Sequence, residues 1–138
     1  TYLPSNRMLE PTMRIRGELS EAPLFFAGQL TGVEGYVESA AMGHIAGANA
    51  ARLARGEEPT TMPRGTMMGA LAHYITTKEG TLQPINSNWG LVPAAPKREG
   101  GRRLAKPERR QRQAEMALEV LEEFIGAGAT GGRPAVVG

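Results

Sequence analysis

Three glycines at G-x3-G-x2-G spacing, Gly28, Gly32 and Gly35, follow a short apolar run and precede a long segment almost free of charge. Glycines there let the backbone approach a ligand with no Cβ in the way, and several N–H groups gather at the start of the helix that follows, free to meet an anion or an electron-rich ring oxygen. A cofactor contact and a tight strand-to-helix turn both suit this pattern. It is not the G-x-G-x-x-G dinucleotide fingerprint, which occurs nowhere in the chain. Further on, His73 shares a helix face with Gly69 and Ala70, and Asn86 and Asn88 alternate with Ile85 and Trp89. Paired asparagines can hold the edge of a heterocycle by donor and acceptor bonds, or satisfy their own backbone at a turn or strand edge.

Other chemistry is excluded by composition. The chain has no cysteine, so disulfides, thiolate metal sites and cysteine nucleophiles are absent from it. His44 and His73 have no carboxylate at a metal-binding spacing, and no metal site is expected. No segment has the apolar length of a membrane span, which makes a cytoplasmic protein the default. The net charge is only +2, yet eight of the 16 basic residues fall between Lys97 and Arg112, against Glu99 and Glu108. Such a run attracts phosphates, or it is a solvated helix start whose sign reverses at Glu115, Glu119, Glu122 and Glu123.

The elements that would position these groups follow from periodicity and punctuation. The first twenty residues, with Pro4, Pro11 and Gly17, read as mostly irregular. Leu24 to Ala27 reads as a short strand buried on both faces. An alanine-rich helix is predicted from Gly35 to Arg55, closed by Gly56, with Gly43 and Gly47 on one tightly packed face and His44 in the core. A second helix is predicted from a Thr66 cap to about Thr77, an extended segment over 82–93, a loop to Arg103, and a third helix from Pro107. That last helix carries Ala114, Ala117, Leu118, Leu121, Phe124 and Ile125 at helical spacing, and a disordered tail is expected after Gly126.

Three ordered blocks are recognisable together. "LFFAGQLTGVEGYVESAAMGHIAGANAARLARGE" resembles a signature block of the folate- and flavin-dependent tRNA (uracil-5-)-methyltransferases, the TrmFO family, and "GALAHYIT" and "QPINSNWGLVP" resemble its two later blocks. "TYLPSNRMLEPTMRIR" is similar to the segment before the signature, so the resemblance extends from Thr1 to about Phe124. It implies an α/β fold, the C-terminal part of a Rossmann-like FAD-binding domain, here mostly helical with three main helices and one or two short strands. It further implies a FAD and folate part over 1–93, a basic loop and helix over 94–126 and the tail over 127–138.

The implied activity is transfer of a methylene group from 5,10-methylenetetrahydrofolate to C5 of the T-loop uridine of tRNA, position 54, and its reduction through FAD at the expense of NAD(P)H. Gly28, Gln29, Gly32, Val33, Glu34, Gly35 and Tyr36 would lie along the flavin. His73, Asn86 and Asn88 would meet folate or substrate, and Arg102, Arg103, Arg109 and Arg110 would meet tRNA phosphates. Members of this family also carry an N-terminal G-x-G-x-x-G unit and catalytic cysteines that this chain lacks. The chain is therefore expected to be a C-terminal portion with no catalytic residue of its own, inactive alone, and to expose apolar surface around Phe25, Phe26 and the glycine-bearing helix. Its partners would be tRNA and the missing N-terminal part. An MnmG-like flavoprotein acting on the wobble uridine, and a non-catalytic RNA-binding module, are the rival readings.

Overall fold

A computed structural model describes residues 1–127, and the expected tail lies outside them apart from Ala127. The elements run α1 (Ser5–Met8), a 3-10 turn (Gly28–Thr31), α2 (Tyr36–Ala54), α3 (Met67–Thr77) and α4 (Lys106–Gly126). The three long helices stand within a residue or so of their expected bounds. In α3 the reason is local: the Thr66 hydroxyl accepts from the Gly69 N–H at 3.0 Å and caps the first turn. In α2 alanine content sets the helix, Gly35 begins it, and Gly56, at φ 76°, ends it.

The expected strand is corrected. No ladder forms among the described residues; three isolated bridges stand in its place, Leu9 with Ile15, Arg14 with Phe25 and Val33 with Ile85. Leu24 is exposed, and Phe25 and Phe26 are half-buried, so the run is not sandwiched on both faces. Its partner is the Met13–Ile15 segment, through Ile15 N–H to Leu24 O at 2.8 Å and Phe26 N–H to Met13 O at 3.0 Å.

The first twenty residues contain little regular structure, yet they furnish core. Leu9, Met13 and Ile15 are buried, and Met13 holds a left-handed backbone at φ 66°, a conformation that costs a non-glycine residue about 1 kcal/mol or more. Met13 joins Val33, Met42, Ile45, Leu71, Ala72, Ile75 and Leu82 in one apolar cluster between α2 and α3. A buried amide clamps the edge: Asn49 Nδ2 donates to Thr12 O and Thr60 O, and its Oδ1 accepts from Thr60 N–H at 2.7 Å.

Only one side of α2 is packed. Met42, Ile45, Ala46 and Asn49 are buried, whereas Ala40, Gly43, His44, Gly47, Ala48 and Ala51 are exposed, and a Cβ added at Gly43 or Gly47 meets open space. The expectation of a tightly packed glycine face with His44 in the core is thereby corrected for this chain. Spacing shows that small residues share a face; whether anything covers that face is a property of the surroundings. The close approach is made by α3 instead, where a Cβ on Gly69 would overlap the carbonyl of Pro63.

The stripe on α4 is also weaker than its spacing predicts. Its only fully buried residue among those described is Gln113, while Leu118 is 57% exposed.

Candidate functional site

The glycine turn is held from beneath by hydroxyls. Ser5 Oγ donates to Thr31 O at 2.8 Å, Thr31 Oγ1 donates to Gly28 O at 2.7 Å, and Leu3 N–H bonds Leu30 O. Gly28, Gly32 and Gly35 all lie at positive φ, 79°, 86° and 89°, so each needs the freedom of glycine. Gly32 is packed beneath Leu82 and Tyr2, and the Val33 side chain is core. Of the residues expected along the flavin, Gln29, Glu34, Gly35 and Tyr36 face solvent.

The parallel bridge carries the asparagine block to this turn. Glu34 N–H donates to Ile85 O at 2.9 Å and Ile85 N–H donates to Gly32 O at 3.0 Å. One residue on, Asn86 Oδ1 would stand 3.0 Å from a Cβ at Gly35. Ser87 then ties the block to the first turn of α2, donating to Glu38 Oε1 from its N–H at 3.2 Å and from its hydroxyl at 2.7 Å. These bonds, the Ser87 hydroxyl first, hold the Glu38 carboxyl below the usual carboxylate range.

At the start of α2, Gly35 supplies no side-chain cap, and Tyr36 and Val37 are 93% and 80% exposed. A helix N-terminus of this kind favours electron-rich or anionic groups, with the Glu38 carboxylate already filling one flank. Behind Gly28 lies Ser39, whose buried Oγ has no hydrogen-bond partner among the described residues. The orphaned Ser39 hydroxyl, Gly28 and Gly35 at positive φ and a helix start without a side-chain cap thus lie together at this turn, a set of polar and backbone groups compatible with the edge of a flat heterocycle.

The other expected site residues lie around this turn or apart from it. Asn88 closes its own turn, its Oδ1 accepting from Gly90 N–H at 3.0 Å and its Nδ2 donating to Asn86 O at 3.3 Å. The chain turns there, so the alternation that would send Trp89 inward with Ile85 stops, and Trp89 is exposed. His73 is half-buried on α3; burial, and next the charge of Arg64, lower its pKa below the ordinary histidine value. Its neighbour Gly69 is packed on the Met62–Pro63 backbone and is closed to any ligand.

In the basic run, Arg98 pairs with Glu108 and Arg112 with Glu115 and Glu119. Arg102, Arg103, Arg109 and Arg110 have no acidic partner among the described residues. No cluster of potential metal ligands and no helix long and apolar enough to cross a membrane occurs among the described residues.

The roles of Glu38, Ser87 and Gln113 escaped the sequence reading, since each depends on a partner remote in the chain, and Ser39 is marked only by a buried hydroxyl left without one among the described residues. The single legible hint was Glu38, an acid in the first turn of a helix.

A family model described as glucose inhibited division protein A matches residues 1–58, the part that contains the signature. Beyond it, the chain is similar throughout to curated relatives named methylenetetrahydrofolate--tRNA-(uracil-5-)-methyltransferase TrmFO. It is 81% identical over 126 residues, 91% of this chain, to the one from Rubrobacter xylanophilus. It is 53% identical over 125 residues (90% of the chain) to that of Exiguobacterium sibiricum, and 46% over 125 residues (91%) to that of Aquifex aeolicus. The similarity runs through all three blocks. This chain belongs to the TrmFO family. It spans 28%, 28% and 26% of the lengths of those three TrmFO relatives.

Proposed function

We propose that the chain is a C-terminal portion of a methyltransferase that uses FAD and 5,10-methylenetetrahydrofolate to form 5-methyluridine at position 54 of tRNA, and that it completes a Rossmann-like FAD-binding domain. The observation that carries this reading is the junction at Gly35, where the glycine turn, the start of α2 and the asparagine block meet through the Gly32–Ile85–Glu34 pairing and the Glu38–Ser87 bonds. Two of the three family blocks thus converge on one turn, as a site that must hold two ligands side by side requires.

Within that site the chain binds and orients. Gly28, Gln29, Gly32, Val33, Glu34, Gly35 and Tyr36 line the flavin position with backbone and polar groups, and the α2 N-terminus favours electron density gathering on the ring. A bound flavin supplies the two electrons, drawn from NAD(P)H, that reduce the transferred one-carbon unit to a methyl group. Asn86, with Asn88 and His73, offers amide and imidazole groups to the pterin or the uracil edge. Attack on the uracil is the task of residues elsewhere in the polypeptide, since this chain has no cysteine. Arg102, Arg103, Arg109 and Arg110 neutralise tRNA phosphates. The open face of α2 packs against the rest of the polypeptide, which accounts for its small, uncharged residues.

The test is transfer of a labelled one-carbon unit from methylenetetrahydrofolate to unmodified tRNA by the complete polypeptide with FAD and NADPH. Label at the T-loop uridine is the expected result. Flavin binding with no label at that uridine overturns the reading.

A further inference from the structure

Trp89, the chain's single tryptophan, is 38% exposed and follows the asparagine turn directly. The Arg110 guanidinium lies 5.9 Å from its ring centroid. This pairing is held in place by a buried group. Gln113, one turn further along α4 and 7% exposed, donates from Nε2 to Trp89 O at 3.3 Å and to Pro93 O at 3.0 Å. The amide therefore locks the tryptophan loop to the basic end of α4, and the two elements present one surface. On that surface an indole with free area stands beside Arg110, a cation that has no acidic partner among the described residues.

An exposed aromatic ring beside an unpaired arginine complements a nucleic acid at an unstacked position: the ring takes a base face and the cation takes an adjacent phosphate. We propose that Trp89 is a stacking platform for an unpaired nucleobase of RNA, framed by Arg110 and set in place by Gln113. The inference rests on the tRNA-substrate reading above and deepens it, because it names where a base splayed from the RNA loop is held. Trp89 is a binding residue here; Gln113 acts through it and is a positioning residue.

The experiment measures binding of unmodified tRNA to the complete, flavin-loaded polypeptide across a range of salt concentrations. Trp89→Ala weakens binding about tenfold or more while leaving the slope of log affinity against log salt unchanged, because stacking releases no counterions. Trp89→Phe restores most of the affinity, and Arg110→Gln lowers the slope by about one. The inference is overturned if Trp89→Ala binds as the wild type does, if Trp89→Phe is as weak as Trp89→Ala, or if the only loss is in the apparent affinity for methylenetetrahydrofolate. A steep change of salt slope in Trp89→Ala also overturns it, since that marks displacement of α4 and not loss of a stack. If the wild type binds no tRNA, the substrate reading and this inference fall together; if it binds and methylates tRNA while Trp89→Ala binds equally well, this inference alone falls.

Discussion

His73 and Gly35 show how differently two single residues can be bound to their surroundings. Burial and the nearby Arg64 charge both disfavour protonation of His73. The folded pKa therefore lies below the unfolded value of about 6.5. Between the two values the unfolded chain binds more protons, so stability rises with pH through that window and falls as the solution is acidified through it. Proton NMR of the complete protein should place the His73 titration below that of an ordinary histidine. His73→Gln should flatten this part of the pH–stability curve, and a titration at or above the ordinary value would show the imidazole to be solvated or paired with an acid. The shift favours the neutral imidazole, in which one nitrogen donates and the other accepts.

Gly35 is constrained more severely, because φ 89° with ψ 145° is a region that only glycine enters readily. A Cβ there also meets Glu38 and Asn86, the two groups that join the signature to the asparagine block. Gly35→Ala in the complete protein should cost about 1–3 kcal/mol and lower the ratio of flavin to protein absorbance after purification. Full retention of flavin would show that the junction is not part of the cofactor site.

Among the elements, α3 is the most tightly specified. Thr66 caps it, and Gly69 in its first turn lies against the Met62–Pro63 backbone, so closely that a methyl group has no room. Backbone cannot swing aside as a flexible side chain can, and Gly69→Ala should destabilise the fold by about 3 kcal/mol or more, read as a shift in the denaturant midpoint. Helix propensity alone argues the opposite sign, since alanine is favoured over glycine by about 1 kcal/mol, so a stabilised variant would refute the close approach. Legibility in the sequence divides along the same line. The Thr66 cap and the ends of α2 could be read directly, because capping and chain reversal involve residues a few positions apart. The bridge between Arg14 and Phe25, which replaces the expected strand, could not, since it depends on a segment without periodic apolar residues.

For the whole molecule, the question is what covers the open side of α2. The matched relatives are more than three times as long as the segment they share with this chain, and the exposed face offers Gly43, Gly47 and Ala48 with no charge. Gly47→Leu reports the answer by its sign. On a face open to solvent the substitution stabilises the helix by somewhat under 1 kcal/mol. On a face covered by the rest of the polypeptide it overpacks, and the expected result is a lower melting temperature of the complete protein by an amount equivalent to about 1–3 kcal/mol. A raised melting temperature would leave the face free in the complete protein.

Three helices, the Thr66 cap, the Gly56 stop and the absence of cysteine were determined along the chain, because composition, capping and periodicity are local properties. The same is true of the left-handed glycines, whose spacing already marked a turn that needs backbone freedom. The tertiary structure alone decided that Met13 and Leu9 belong to the core, that Asn49 clamps two loops, that Glu38 and Ser87 join blocks 49 residues apart, and that Trp89 faces outward under Arg110. Each of these depends on a partner distant in the chain, and no local pattern encodes whether such a partner is present.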